Sequence, residues 1–140
     1  MNAIRLQIPA HADYMDMVRI CLFGIASKMN FPFEDIEDMK VAVSEACNNA
    51  VLHGAQEKEL AVIDINFECE DTSLTIKVKN NGPTFTYSDA LATASPLQDG
   101  DVSELKVGGL GIYLMQALMD EVNVNIADGL TEVVMTKHIV

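Results

Sequence analysis

The segment from Glu34 to His53 reads EDIEDMKVAVSEACNNAVLH and predicts one long amphipathic helix. Its apolar residues recur every three or four positions, which is the spacing of a single buried helix face. They are Ile36, Met39, Val43, Ala46 and Ala50. Gly54 follows directly and is a typical residue for the C-terminal end of a helix.

Two polar residues of this helix are in an unusual setting. Glu45 and Asn49 are four residues apart, so their side chains project from the same side, one turn from each other. Ala42 and Leu52 flank them on that side, so it does not resemble a solvated surface. One interpretation is a polar helix edge with one hydrogen-bonded buried amide. The other is a carboxylate and a carboxamide that face a cavity, where they suit a hydrated magnesium ion and a positioned nucleophile.

The rest of the chain predicts an α+β fold, a two-layer sandwich with helices on one face of a mainly antiparallel mixed sheet. The predicted order is β-α-α-β-β-loop-α-β-β. The strands are expected near 4–8, 62–67, 74–78, 122–126 and 133–139, and the other two helices near 13–29 and 110–120. In the first helix, helical spacing predicts a core-facing stripe of Met17, Ile20, Cys21, Gly24 and Ile25.

Two further motifs interrupt these elements. Asn80-Asn81-Gly82-Pro83 ends a strand, and it predicts either a simple turn or an amide that pairs with the edge of a base. Gly108-Gly109-Leu110-Gly111 opens the last helix, where glycines allow close approach and free N–H groups attract phosphate. Alone, that glycine run is more often plain close packing. Lys106 lies two residues before it, as the only cation between Lys79 and Lys137.

Composition restricts the class of protein. The chain has 140 residues, 9 Lys and Arg against 21 Asp and Glu, and a net charge of −12. This balance argues against binding to DNA or to anionic lipid and favours a basic protein partner. Three cysteines without a C-x-x-C pair, no signal-peptide pattern and no membrane-length apolar run predict a cytoplasmic protein.

The whole chain, 1–140, is expected to form one domain. Its aperiodic stretch at 83–107, with a short helix expected at 87–94, predicts a lid or a disordered loop.

Taken together and in this order, these motifs resemble the Bergerat-type ATP-binding fold of DNA gyrase, histidine kinases, MutL and the large heat-shock chaperones. Glu45 and Asn49 match the acid and Asn of its N box, and the two glycine boxes fall at 80–82 and 108–111. Gly129-Leu130-Thr131 matches its late Gly-x-Thr. Within that superfamily, residues 38–46 and 108–121 are similar to the bacterial anti-sigma-factor serine-protein kinases of the anti-sigma-B type.

The resemblance implies an activity and partners. Such proteins bind ATP with magnesium, sequester an alternative sigma factor, and phosphorylate a serine of an anti-anti-sigma antagonist. It implies a homodimer, no direct DNA binding and no membrane association.

The resemblance also implies roles for individual residues. Glu45 would be the general base or water-orienting carboxylate, and Asn49 the magnesium ligand. The remaining nucleotide-binding residues would be Asn80, Gly82, Lys106, Gly108, Gly109, Leu110, Gly111 and Thr131, with Asn80, Gly82 and Thr131 at the adenine. Arg19, on the first helix, is the expected partner contact.

One residue departs from the family pattern. The family usually carries Asp at the first glycine box, where it accepts a hydrogen bond from the adenine amine, and this chain has Asn80. A neutral acceptor forms a weaker bond, about 1 kcal/mol against about 1.5–3 kcal/mol. The alternative function is therefore a partner-binding module of the same fold with weak or no kinase activity. A histidine-kinase ATPase domain is disfavoured because no dimerisation helix precedes residue 1.

Overall fold

A computed structural model describes residues 1–54, 61–80, 109–127 and 130–139, without the side chains of 51–54, 109, 110 and 127. The strands are β1 (Asn2–Pro9), β2 (Val62–Cys69), β3 (Ser73–Asn80), β4 (Glu121–Ala127) and β5 (Leu130–His138). The helices are α1 (Met15–Lys28), α2 (Phe33–Gly54) and α3 (Gly109–Leu118), with a short 3-10 helix at Ala12–Tyr14.

The five strands form one sheet in the order β1-β2-β3-β5-β4. All four pairings between these strands are antiparallel, so the sheet is antiparallel where a mixed one was expected. The α+β class and the order of the elements are confirmed. The aperiodic stretch 83–107 and its short helix at 87–94 lie outside the described residues.

Alternation along the strands gives the sheet one apolar face, which packs against the helices. In β2 and β3 every second residue is buried, as the pleat of a strand requires. These residues form one core with the inner face of α2, and the five residues predicted for that face are all buried. The predicted α2 stripe is therefore confirmed.

The opposite face of the sheet is polar. Lys77 and Glu68 form an ion pair at 2.9 Å, and the hydroxyls of Thr75 and Thr136 are 3.0 Å apart. The hydrogen bond that the Lys77 ammonium donates to the Glu68 carboxylate raises the pKa of Lys77. Helices therefore cover only one face among the described residues, which is the two-layer arrangement predicted from the sequence.

The inner face of α1 differs from the prediction. Its buried residues are Met15, Val18, Leu22, Ile25 and Ala26. The expected core residues Met17 and Ile20 are instead 53% and 67% exposed, and Gly24 is also exposed. Because α1 carries apolar residues around most of its circumference, two different stripes fit helical spacing equally well. Packing against the sheet and α2 selects the other one.

The turn between α1 and α2 has an identifiable cause. Asn30 adopts a left-handed conformation, with φ of 67°, which Asn tolerates better than most residues. Its N–H bonds to the Ser27 carbonyl at 3.0 Å, and the Phe31 N–H bonds to the Ala26 carbonyl at 3.1 Å. This is a Schellman motif, which satisfies the last carbonyls of α1. It turns the chain so that α2 packs beside α1.

No helix in the described part of the chain combines the length and apolar character needed to cross a membrane.

Candidate functional site

The structure brings together three of the residues predicted from separate motifs. Glu45 and Asn49 lie one turn apart on α2, and Gly111 lies in the first turn of α3, which packs against α2. A Cβ placed on Gly111 would be 3.1 Å from Glu45 Oε1 and 3.3 Å from Asn49 Nδ2. The backbone of the glycine-rich helix therefore lies close to the acid and the amide, and a side chain at this position would make both give way by a few tenths of an ångström.

Asn49 is buried, at 5% exposure, and its Nδ2 group has no hydrogen-bond partner in the described structure. A buried polar atom without a partner costs about 1–3 kcal/mol, and such atoms are uncommon in folded proteins. In the described structure this amide nitrogen therefore lacks the partner that a merely hydrogen-bonded buried amide would have. This fits an amide whose partner is a ligand, and rotation of the amide would present its oxygen instead.

A second polar pair lies at the edge of the core. Asn80 and Thr131 are direct cross-strand neighbours on β3 and β5, and both are buried, at 5% and 1% exposure. They continue the core-facing rows of their strands, where the preceding β3 residue on that face, Val78, is apolar. Thr131 Oγ1 has no hydrogen-bond partner in the described structure. Two polar side chains on an otherwise apolar face are suited to the edge of a base.

These residues fit a nucleotide with a magnesium ion. In the described parts of the chain, no three His, Cys, Asp or Glu side chains are grouped to hold a metal ion. A magnesium ion held by one amide oxygen and by the phosphates of its nucleotide needs no such group, since magnesium typically takes one or two protein ligands. The first-turn N–H groups of α3, which begins at Gly109, are suited to a phosphate.

Several predicted site residues lie outside the description. Gly82, Lys106 and Gly108, together with the expected lid at 83–107, fall within the undescribed residues 81–108. Gly109 and Leu110 are placed in the first turn of α3, and only their backbone is described.

A contact that the sequence did not predict joins α1 to α2 beside the site. Arg19 Nη1 donates a hydrogen bond to Ser44 Oγ at 3.1 Å, and the Ser44 hydroxyl donates to the Lys40 carbonyl at 2.7 Å. Ser44 immediately precedes Glu45. Burial raises the pKa of the nearby Cys47 thiol to about 12, and the positive charge of Arg19 acts in the opposite direction. Arg19 and Ser44 are 25 residues apart on two different helices, and no spacing rule relates such positions. One sequence alone therefore gives no indication of this contact.

The surface of α1 beside Arg19 is apolar. Met17, Ile20 and Phe23 are 53%, 67% and 47% exposed. We call these three residues the α1 strip. The exposed Asp16 directly precedes Met17, and the half-buried Arg19 lies between Met17 and Ile20 in the sequence. Large apolar side chains grouped on a surface with charged residues around them are typical of protein-binding sites.

Comparisons with known proteins identify the family of this chain. The sequence profile of the family described as histidine kinase-like ATPase domain matches residues 8–137. The chain is 42% identical to the serine-protein kinase RsbW of Bacillus licheniformis over 137 aligned residues. This alignment covers 97% of this chain and 85% of that protein. It is 39% identical over 137 residues to RsbW of Bacillus subtilis strain 168, again covering 97% and 85%.

Two solved structures share the fold. The RsbU and RsbW domains of a Mycobacterium tuberculosis protein superpose with a TM-score of 0.70 at 17% identity, covering 99% of this chain and 32% of that one. A chain of the SiaB–SiaC complex from Pseudomonas aeruginosa gives a TM-score of 0.71 at 13% identity, covering 95% and 88%.

Proposed function

This chain belongs to the family of histidine kinase-like ATPase domains and to its RsbW serine-protein kinases, and from this premise we propose its function. It binds ATP with magnesium, phosphorylates a serine of an anti-anti-sigma antagonist, and sequesters an alternative sigma factor. The observation that carries the catalytic part is the close contact of Gly111 with Glu45 and Asn49. That contact supports a nucleotide-phosphate site beside a carboxylate.

Each residue of the site has a role in this proposal. Asn49 holds the magnesium ion through its amide oxygen, and the glycine-rich start of α3, with Lys106, Gly108, Gly109, Leu110 and Gly111, accommodates the phosphates. Asn80, Gly82 and Thr131 contact the adenine. Bound ATP would supply the phosphoryl group, and the magnesium ion would offset the negative charge of the phosphates.

Glu45 is the residue that handles the proton. The serine hydroxyl oxygen of the antagonist bonds to the terminal phosphorus, ADP leaves, and the hydroxyl proton passes to the Glu45 carboxylate. Phosphoryl transfer needs mainly positioning and charge stabilisation, and Glu45 contributes to positioning by orienting the serine hydroxyl whose proton it accepts.

Exchange of Glu45 for Ala tests this role. We expect Glu45→Ala to abolish transfer of labelled phosphate to the antagonist and to leave sigma-factor capture largely intact. Glu37→Ala is the matched control, because Glu37 is a half-buried carboxylate on the same helix that pairs with Lys40 at 3.1 Å. Wild-type transfer by Glu45→Ala would falsify the assigned role.

The α1 strip and Arg19 support a protein-binding surface. Arg19 is the proposed charged contact, and the strip supplies the apolar area that a stable interface buries. Ile20 has the most exposed side chain of the strip. We expect Ile20→Ser to weaken binding of the sigma factor or antagonist about tenfold without lowering the melting temperature. Phe33→Ser is the control, because Phe33 is also exposed, at 70%, but begins α2.

Asn80 favours a second candidate function, a partner-binding module with weak or no kinase activity. Its amide lacks the charge of the usual Asp. Capture of a sigma factor without phosphorylation of any antagonist would support that alternative.

The proposal also includes a homodimer in the cytoplasm that makes no direct contact with DNA or membrane. Light scattering with size-exclusion chromatography tests the dimer. A mass of about twice 15.3 kDa is expected.

A further inference from the structure

The position of the Glu45 carboxylate depends on the helical turn that carries it. In the described structure this carboxylate makes no hydrogen bond and no ion pair, and the residue is half-buried. A side chain without a partner of its own takes its position from its backbone. The contacts that hold residues 44–48 of α2 in place therefore determine the distance between the Glu45 carboxylate and the substrate serine.

Two neighbours hold this turn from different sides. On one side Gly111 of α3 faces the Glu45 and Asn49 side chains, which a Cβ at that position would meet at 3.1 and 3.3 Å. On the other side the guanidinium of Arg19, on α1, donates to the hydroxyl of Ser44 at 3.1 Å. The same hydroxyl donates to the Lys40 carbonyl one turn earlier at 2.7 Å. The side chain of Ser44 thus links α1 to the backbone of α2 next to the catalytic residue.

A second contact repeats this link one helical turn away. Lys40 Nζ lies 5.9 Å from the centre of the Phe23 ring, in reach of a cation–π interaction. Arg19 and Phe23 are four residues apart on α1, as are Lys40 and Ser44 on α2. The two pairs therefore form consecutive contacts between the helices. Of the two, only the Arg19–Ser44 hydrogen bond directly involves the turn of Glu45, and a hydrogen bond fixes distance and direction more narrowly than a cation–π contact does.

We infer that Arg19 and Ser44 are positioning residues for the kinase reaction: their hydrogen bond holds the Glu45 turn in the orientation needed for proton removal from the substrate serine. This inference rests on the proposed function. It gives Arg19 a second role besides partner contact, and it gives Ser44 a role that its position in the sequence does not suggest.

Ser44→Ala tests the inference because it removes the bond and leaves Arg19 free to meet a partner. Ala is a better helix former than Ser, so the exchange does not weaken α2 through helix propensity. We expect kcat for antagonist phosphorylation to fall roughly three- to tenfold, with the KM for antagonist and the Kd for ATP unchanged. Ser44→Thr keeps the hydroxyl and restores kcat. Ser27→Ala, at an exposed position of α1, is the matched control.

The double variant separates this bond from other effects of Arg19. Arg19→Met alone should lower kcat by the same factor and also raise the KM for antagonist. Arg19→Met combined with Ser44→Ala should lower kcat no further, because both exchanges remove one interaction. A kcat loss equal to the product of the single losses, or wild-type kcat in Ser44→Ala, overturns the inference.

Hydrogen exchange gives a readout that needs no activity. The amides of residues 44–48 should exchange several-fold faster in Ser44→Ala and in Arg19→Met, with no further increase in the double variant. Unchanged exchange in Ser44→Ala overturns the inference. Absence of transfer by the wild-type protein instead overturns the proposed function, while the exchange comparison still decides whether the bond holds the turn.

Discussion

Gly111 lies so close to two site residues that one methyl group changes what can bind there. We expect Gly111→Ala to weaken ATP binding about tenfold, because the new Cβ, 3.1 Å from Glu45 Oε1 and 3.3 Å from Asn49 Nδ2, would shift both side chains by a few tenths of an ångström and occupy space beside them. The same exchange raises helix propensity by about 0.5–1 kcal/mol, so the melting temperature should not fall. Calorimetric titration with an ATP analogue and a thermal scan measure the two effects.

Gly24→Ala is the control for this experiment. Gly24 is an exposed residue of α1, and a Cβ there meets nothing within 4 Å. It should show the same gain in helix propensity and wild-type ATP affinity. Equal ATP affinity in Gly111→Ala and Gly24→Ala would mean that the nucleotide does not bind at this helix start.

Asn80 offers a second test at the level of one side chain. We expect Asn80→Asp to tighten ATP binding by up to about tenfold, because an ionised acceptor bonds the adenine amine more strongly than an amide does. Asn123→Asp adds the same charge at an exposed position of β4 and should leave the affinity unchanged. Weaker binding of ATP by Asn80→Asp would show that this residue does not accept a hydrogen bond from the base.

Among the elements, α3 is held at the end opposite to the site. Lys137 Nζ, on β5, donates to the carbonyl of Leu118, the last residue of α3, at 2.7 Å. A cation at a helix C-terminus contributes about 0.3–1 kcal/mol, or more when partly buried. We expect Lys137→Met to lower the melting temperature by about 2–5 °C and to leave ATP affinity within about twofold.

Lys137→Arg separates charge from shape in the same thermal scan. It keeps a donor near the Leu118 carbonyl and should retain most of the wild-type melting temperature. A large loss of ATP affinity in Lys137→Met, at temperatures where the protein is folded, would contradict this account. It would mean that the contact at the C-terminal end of α3 affects phosphate binding at its N-terminal end.

The elements also show which features a single sequence predicts. For α2, helical spacing identified five core residues, all of them buried, and Ala42, Cys47 and Asn49 are buried beside them. For α1, Val18 and Leu22 compete with Met17 and Ile20, and only packing decides which pair is buried. At the site, Glu45 and Asn49 are one turn apart and could be paired from the sequence, whereas the Arg19–Ser44 bond depends on how two helices cross. Spacing describes one element at a time and cannot supply contacts between elements.

Over the whole molecule, the net charge of −12 affects the rate at which a partner associates. The proposed partner, a sigma factor, is basic where it meets nucleic acid, so attraction between the two proteins should accelerate their encounter. The screening length falls from about 10 Å at 0.1 M salt to about 3 Å at 1 M. We expect the association rate constant to fall about tenfold or more over this range, and the dissociation rate constant to change much less, in stopped-flow measurements.

Ile20→Ser distinguishes this long-range attraction from contact at the interface. Because Ile20 is an uncharged residue of the α1 strip, its exchange should raise the dissociation rate constant and leave the salt dependence of association unchanged. Charge would then determine how fast the partner is captured, and the apolar strip how long it stays bound. An association rate constant that is the same at 0.1 M and 1 M salt would exclude electrostatic steering, and the acidic composition would then serve solubility alone.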